Sequence, residues 1–355
     1  MSFNLTLIVP GDPAQRTGGY LYDAKIVGEL KSRGWSVEVI GLDGQFPIVD
    51  SKAREHMNHT LENLPDGARV LIDGLALGGL PEVIKAHANR LDMTALVHHP
   101  LADETGLSQT LQTRLLTSER EALATCRRVI VTSPFTARRL GELDLCRHDP
   151  VVIEPGVDPA ELAEAVAHRL QGRETDPTEN LLCVASLTPR KGQDLLIEAL
   201  ADLMDRHWNC TLAGSEQRDP EFASHVKDLI REYGLEDRVE LTGELDEHQL
   251  QLRYHRATLC VLPSHYEGYG MVVTEALARG LPLLATTGGA LNDTVPEPAA
   301  LKIPPGDIEA LHAALLSWLD DPALRQRLTR QAVAARNQLS GWSATGKRFA
   351  DALIS

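Results

Sequence analysis

Short apolar runs alternate with longer stretches of helical periodicity from one end of the 355-residue chain to the other, and this rhythm leaves few folds open. Leu5–Val9, Val37–Ile40, Val70–Ile72, Ala95–Val97, Val129–Thr132 and Val151–Ile153 read as strands. Between them, helices are expected over Tyr20–Arg33, Pro81–Leu91, Leu107–Arg127 and Phe135–Leu143. A polar stretch, Gln171–Glu179, reads as an exposed connector, after which the pattern restarts. Leu181–Ala185, Cys210–Ala213, Val239–Leu241, Leu259–Leu262 and Leu283–Leu284 are strand-like. Leu195–Met204, Phe222–Tyr233, Leu250–Ala257, Val272–Arg279, Ile308–Leu319, Leu324–Arg336 and a last segment near 344–354 are helical. Strands that are apolar throughout, instead of at every second residue, are buried on both faces, as in parallel sheets covered by helices. The expectation is α/β, with two Rossmann-like doubly wound halves facing a central cleft.

Length fits two domains, each able to bury its own core. The hydrophobic share of 43% and charged share of 24% are those of a globular protein. A net charge of -15 disfavours nucleic acid and anionic membranes as bulk partners. The five cysteines, Cys126, Cys146, Cys183, Cys210 and Cys260, form no close metal-ligand pair and suit a reducing compartment. Met1–Pro10 lacks a basic leader and reads as a first strand. No window reaches the ~18–20 apolar residues that cross a bilayer. A cytoplasmic location follows, with peripheral contact at the inner face of the membrane as the limit. Arg114, Arg120, Arg127, Arg128, Arg138 and Arg139 make a local basic bias that reads as solvated surface.

The richest stretch for chemistry is Pro263–Glu275, between the strand at Leu259 and the helix that starts near Val272. Gly268 and Gly270 let the backbone turn tightly and let a ligand approach it. The N–H groups of Gly270, Met271 and Val272 then face outward at a helix N-terminus, a ready site for phosphate. Glu267 and Glu275 bracket the turn; beside a diphosphate they suit hydroxyls of a sugar or ribose, and otherwise would be surface acids favouring the dipole. Lys191 follows the first strand of the second half, where it can neutralise a diphosphate as a point charge, with Arg190 beside it; the bland alternative is a solvated helix cap. Thr17-Gly18-Gly19 lacks the G-x-G-x-x-G of a dinucleotide site. His98 and His99 end a parallel strand, a good position for meeting ligand. His265 is an acceptor contact or a loop filler. Asp144, Asp149 and Asp158 make no Asp-x-Asp pair, so no metal clamp is expected, and no cofactor.

Glu-x7-Glu within Pro263-Ser264-x-x-Glu267-Gly268-Tyr269-Gly270, followed by Gly288-Gly289, resembles the motif of retaining GT-B nucleotide-sugar glycosyltransferases of family 4, the glycosyl transferase group 1. Further matches run in order along nearly the whole chain. The resemblance implies an acceptor domain over 1–157, joined by a C-terminal helix of about 342–355 that crosses back, and a nucleotide-sugar domain over 158–341. It implies an enzyme that moves a hexosyl unit from a nucleotide diphosphate sugar to a saccharide, small-molecule or lipid-linked hydroxyl, without metal. A UDP-sugar is favoured as donor, and GDP-mannose is the other candidate. Lys191, Glu267 and His98 would be catalytic, with Lys191 on the leaving group and Glu267 and His98 on the donor sugar. Gly18, Gly19, Arg190, Gly268, Tyr269, Gly270, Met271, Val272 and Glu275 would hold the donor, Glu275 through its ribose. His99, with Asp103 or Glu104, and His265 would shape the acceptor side. The chain departs from the family at Ser186, five residues before Lys191, where an arginine is common. Three rivals are a phosphorylase on the same fold, a nucleotide-sugar-binding protein without turnover, and a nicotinamide-dependent oxidoreductase.

Overall fold

A computed structural model describes residues 3–104, 106–173 and 178–354, and the chain divides into unit 1, Met1–Gly156 with Ser340–Ser355, and unit 2, Val157–Leu339. Unit 1 starts with β1 (Asn4–Pro10), α1 (Gly18–Ser32), β2 (Ser36–Leu42), α2 (Ser51–Glu62), β3 (Arg69–Asp73), α3 (Gly74–Leu77) and α4 (Pro81–His87). It continues with β4 (Asp92–Val97), α5 (Gln109–Leu123), β5 (Arg128–Val131), α6 (Pro134–Glu142) and β6 (Val151–Val152). The strands form one parallel sheet in the order β2-β1-β3-β4-β5-β6. Sequential strands pair except where β3 crosses to the other side of β1, so the carboxyl ends of β1 and β3 border the point where the winding reverses.

Several helices differ from expectation. α2 is absent from the sequence reading because only Ala53, Met57, Thr60 and Leu61 of its twelve residues are buried, a narrow stripe among polar side chains. Asp50 starts it by accepting from the Ala53 N–H at 2.8 Å. α1 begins at Gly18, so Gly18 and Gly19 form its first turn rather than a preceding loop. α5 is shorter than the apolar period suggests, because Ser108 caps it through the Leu111 N–H.

Unit 2 contains α7 (Glu164–Leu170), β7 (Glu179–Val184), α8 (Gln193–Ala201), β8 (Trp208–Ala213), α9 (Pro220–Glu232), β9 (Val239–Gly243) and α10 (Glu247–Arg256). Then come β10 (Leu259–Leu262), α11 (Met271–Ala278), β11 (Leu283–Thr286), α12 (Leu291–Thr294), β12 (Ala300–Ile303), α13 (Ile308–Asp320) and α14 (Pro322–Arg336). Its sheet is parallel, β12-β11-β10-β7-β8-β9. Read from β9, the order is that of the dinucleotide-binding fold, with its switch point between β7 and β10. One face packs Trp208, Val226, Leu315 and Trp318; the other packs Tyr254, Val273, Leu277 and Leu291.

The stretch Gln171–Glu179 requires a correction. Residues 174–177 lie outside those described, but Glu179 opens β7 and is only 3% exposed. Arg169 on α7 donates to Glu179 Oε1 at 2.9 Å, Arg325 Nε on α14 lies 3.0 Å from that oxygen, and Trp318 Nε1 on α13 donates to Oε2 at 3.0 Å. A polar sequence thus ends in a buried ion cluster that ties three helices to the strand. β12 also escaped the sequence reading, being short and flanked by Pro296, Pro298, Pro304 and Pro305.

Finally α15 (Trp342–Ile354) belongs to unit 1 and packs on α1. A Cβ at Gly346 would run into Glu29, so the two helices meet closely. Tyr22 fills the space beside them, its ring 5.8 Å from Trp342 and 6.4 Å from Phe349, while its hydroxyl donates to the Ile153 carbonyl at 2.9 Å.

Candidate active site

The loops after β7 and β10 leave the sheet of unit 2 on either side of its switch point, where open parallel sheets bind ligands. The first loop tightens into a single 3₁₀ turn, Pro189–Lys191, and ends at Gly192 with φ of 66°. A side chain there would collide with the Pro263 carbonyl, so only glycine lets the two loops touch. They are strapped by the His265 N–H donating to the Arg190 carbonyl at 2.8 Å.

This strap brings Lys191, Arg190 and Glu267 together. Lys191 Nζ donates to Glu267 Oε1 at 2.6 Å, and the Ser264 hydroxyl donates to the same oxygen at 2.8 Å. Arg190 lies 3.4 Å from Oε2 and donates to the Tyr266 carbonyl at 2.7 Å. Burial alone would raise the Glu267 pKa, but Lys191, Arg190 and the Ser264 bond outweigh it and hold the carboxyl down at about 2. Burial lowers the Lys191 pKa below that of an ordinary lysine; Glu267 opposes this and Arg190 adds to it. The outcome is a buried carboxylate faced by two cations, the ammonium of Lys191 and the guanidinium of Arg190.

The backbone beyond Glu267 is placed as tightly. Glu267 makes a parallel bridge with Gly289, whose φ is 62°, and its carbonyl accepts from the Ala290 N–H at 2.8 Å. The pair Gly288-Gly289 is therefore needed for close approach: a Cβ on either would strike the His265 or Glu267 carbonyl. α11 then starts at Met271, with Gly270 at φ 85° as its N-cap and no side-chain capping bond. Met271 and Val272 lie in its first turn, and Gly268, Tyr269 and Gly270 form the turn ahead of it. One helical turn on, Glu275 Oε2 accepts from the Tyr254 hydroxyl at 2.7 Å. Arg279 stacks over that tyrosine at 4.3 Å and donates to the Glu275 carbonyl and to Gln251, each at 2.6 Å. Burial, then the neighbouring Glu275, push the Tyr254 pKa well up, so the phenol stays a donor. Tyr254 and Arg279 escaped the sequence reading, since a tyrosine and an arginine on helices carry no positional signal. His265 is exposed and packs beside Gly306.

In unit 1, His98 follows β4 directly. Its ring lies against Gly19, where a Cβ would come within 3.3 Å of it, and stands edge-on to Tyr22 with centroids 5.6 Å apart. Gly18 faces open space, so of the two glycines only Gly19 has a steric reason. Asp23 Oδ1 on α1 lies 3.3 Å from His98 Nε2, and Asp73 Oδ2 at the end of β3 lies 3.5 Å from it. Burial pushes the Asp73 pKa up to about 6, helped by Asp23 and opposed by His98. Burial would lower that of His98, but the two carboxylates outweigh it and the net shift is upward. Asp23 and Asp73 were missed from sequence; an acid on the buried face of a helix and another closing an apolar strand were the available signals. Among the described residues these three are the group of acidic, histidine or cysteine ligand atoms near enough to share one ion, all within 4.8 Å.

His99 pairs with Glu104 at 3.2 Å, whereas Asp103 is held by two Arg139 bonds of 2.8 Å. Glu119, buried on α5, accepts from the Leu101 N–H at 3.0 Å and so pins the turn that follows His98 and His99. The basic residues are largely engaged: Arg120 bonds the Leu143 and Asp144 carbonyls, and Arg127 and Arg128 face Asp92. A surface groove of about 720 Å³ along α5, flanked by Thr113, Arg114 and Thr117, includes none of the residues above. Among the described residues no helix is long and apolar enough to cross a membrane.

Two Rossmann-like units, each with its loops gathered at a switch point, define the GT-B architecture. The chain superposes on sucrose-phosphate synthase from Thermosynechococcus elongatus with a TM-score of 0.79 at 23% identity over 98% of both chains. It superposes on Anabaena Alr3699/HepE, in complex with UDP-glucose, with a TM-score of 0.76 at 18% identity over 99% of both. Residues 167–334, nearly all of unit 2, match the family described as Glycosyl transferases group 1. A D-inositol 3-phosphate glycosyltransferase of Kineococcus radiotolerans is 31% identical over 251 residues, 64% of this chain and 57% of that protein. Glycogen synthase of Mycobacterium tuberculosis is 36% identical over 194 residues, 53% of this chain and 44% of that one. The chain thus spans about half the length of these relatives.

Proposed function

We propose that the chain is a retaining hexosyltransferase that uses a nucleotide diphosphate sugar, with UDP as the favoured carrier, and an acceptor hydroxyl. The observation that carries this reading is the strapped pair of loops, which sets Lys191 and Arg190 against Glu267 beside the uncapped N-terminus of α11. An incoming diphosphate competes with Glu267 for the two cations, and the helix N-terminus adds its partial positive charge. Glu267, released in part, then accepts from a hydroxyl of the donor sugar. Glu275, oriented by Tyr254, accepts from the ribose hydroxyls. UDP, UDP-glucose and ADP, named with similar structures, carry the diphosphate that these two cations and the helix N-terminus suit.

In the transfer step the bond from the anomeric carbon to the diphosphate oxygen breaks, and its electron pair leaves on the diphosphate. The acceptor oxygen bonds to the anomeric carbon from the same face and gives its proton to that departing oxygen. Front-face chemistry suits the site because Glu267, the nearby carboxylate, is committed to Lys191, Arg190 and Ser264 rather than poised as a covalent nucleophile. Lys191 and the helix N-terminus stabilise the charge growing on the leaving group, a role a metal fills elsewhere. His98 acts on the donor sugar, while His99, Glu104 and His265 contribute to the acceptor side.

A thermal-shift panel of UDP, GDP, ADP and their sugars tests this reading. One nucleotide series should raise the melting temperature and be consumed in the presence of an acceptor alcohol. Lys191→Ala should lower turnover by about 10²–10³-fold, the range for removing one charge-stabilising donor, with a smaller change in donor affinity. An unaltered rate would remove Lys191 from the leaving-group role.

A further inference from the structure

The Asp23, Asp73 and His98 cluster contains more acceptors than its donor can serve. One imidazole Nε2 faces two carboxylates, at 3.3 and 3.5 Å, and a single N–H can satisfy only one. Asp23 Oδ1 and His98 Nε2 are both buried and form an ion pair, but they do not meet in hydrogen-bonding geometry and neither atom has a hydrogen-bonding partner elsewhere; Asp23 as a whole is only 5% exposed. We propose that Asp23, Asp73 and His98 form a site for a divalent transition-metal cation of the zinc type, whose occupancy inhibits the enzyme.

The spacing suits such an ion. Ligands bound at ~2.0–2.2 Å in a tetrahedral shell stand ~3.3–3.6 Å apart, which matches both measured separations. One imidazole and two carboxylates favour zinc or manganese over calcium and magnesium, which prefer all-oxygen shells. Their two negative charges balance a dication. The supporting contacts are already made. Asp73 Oδ1 accepts from the Leu75 N–H at 2.8 Å, which aims Oδ2 at the cluster. Gly19 and Tyr22 hold the His98 ring on two sides. An ion on Nε2 withdraws His98 from the donor sugar, and this inhibitory half rests on the role proposed for His98 above. The binding half does not.

The test is calorimetric titration of the metal-free full chain with zinc chloride and with manganese chloride. One equivalent of zinc should bind, with affinity at least tenfold weaker in Asp23→Asn and in Asp73→Asn, while His56→Gln, at a half-buried histidine beside Asp43 and away from the cluster, binds as the parent does. X-ray absorption of the parent zinc complex should show nitrogen and oxygen at about 2.0–2.2 Å and one imidazole, a readout that holds even where a variant fails to fold. A sulfur shell near ~2.3 Å would put the ion on cysteine and overturn the site, as would undiminished affinity in folded Asp23→Asn. Zinc should also suppress transfer, and a chelator should restore it. Binding without inhibition overturns the inhibitory half; absence of any transfer by zinc-free protein defeats the glycosyltransferase reading and leaves the binding result intact.

Discussion

At the scale of single residues, Glu267 illustrates how context assigns a role. The sequence marks it as an acid near a helix start, which could sit in water; the structure buries it against an ammonium, a guanidinium and a hydroxyl. Its folded pKa of about 2 lies below the ordinary 4.5, so its contribution to stability is present above about pH 4.5 and is lost as pH falls toward 2. Denaturant unfolding of the parent and Glu267→Gln across that window should show the difference between them shrinking as pH falls. A constant difference would mean the ion pair does not form in solution. Tyr254→Phe removes one donor from Glu275 and should weaken nucleotide binding by about 0.5–1.5 kcal/mol, with Glu275→Ala costing about 1–3 kcal/mol by calorimetry. Lys191 and His98 were legible from their positions after apolar strands. Tyr254, Asp23 and Asp73 were not, because their partners are distant in sequence.

Among elements, the strands were legible and the helix ends less so. Strand runs such as Leu259–Leu262 are apolar throughout because both faces are covered, a pattern that composition alone reveals. α2 and β12 escaped because one buries only a thin stripe and the other lies between pairs of prolines. Glu179 shows the reverse error, a charged residue read as solvent-facing that anchors α7, α13 and α14 to β7. Glu179→Gln leaves two arginines without their counter-charge and should destabilise unit 2 by about 3–5 kcal/mol in equilibrium unfolding. On α5, burial pushes the Glu119 pKa up to about 8, so stability linked to it is fully present below the ordinary 4.5 and lost as pH rises through 8. Glu119→Gln should flatten that alkaline loss, which thermal melts between pH 6 and pH 9 would register.

For the whole molecule, two parallel sheets with different strand orders each hold candidate residues just past the carboxyl ends of their strands, His98 in unit 1 and Lys191 and Glu267 in unit 2. If transfer proceeds as proposed, chelation by EDTA should leave the rate unchanged or raise it; complete loss would mean that a metal serves the diphosphate. Local sequence alone determined the α/β alternation, the glycines at the turns and the Lys191 and Glu267 candidates, because strand burial, helix period and backbone freedom depend on neighbours in the chain. Tertiary structure decided which charges meet. Lys191 finds Glu267, Tyr254 finds Glu275, and Asp23 and Asp73 converge on His98, because winding across a switch point joins residues that no short-range pattern connects.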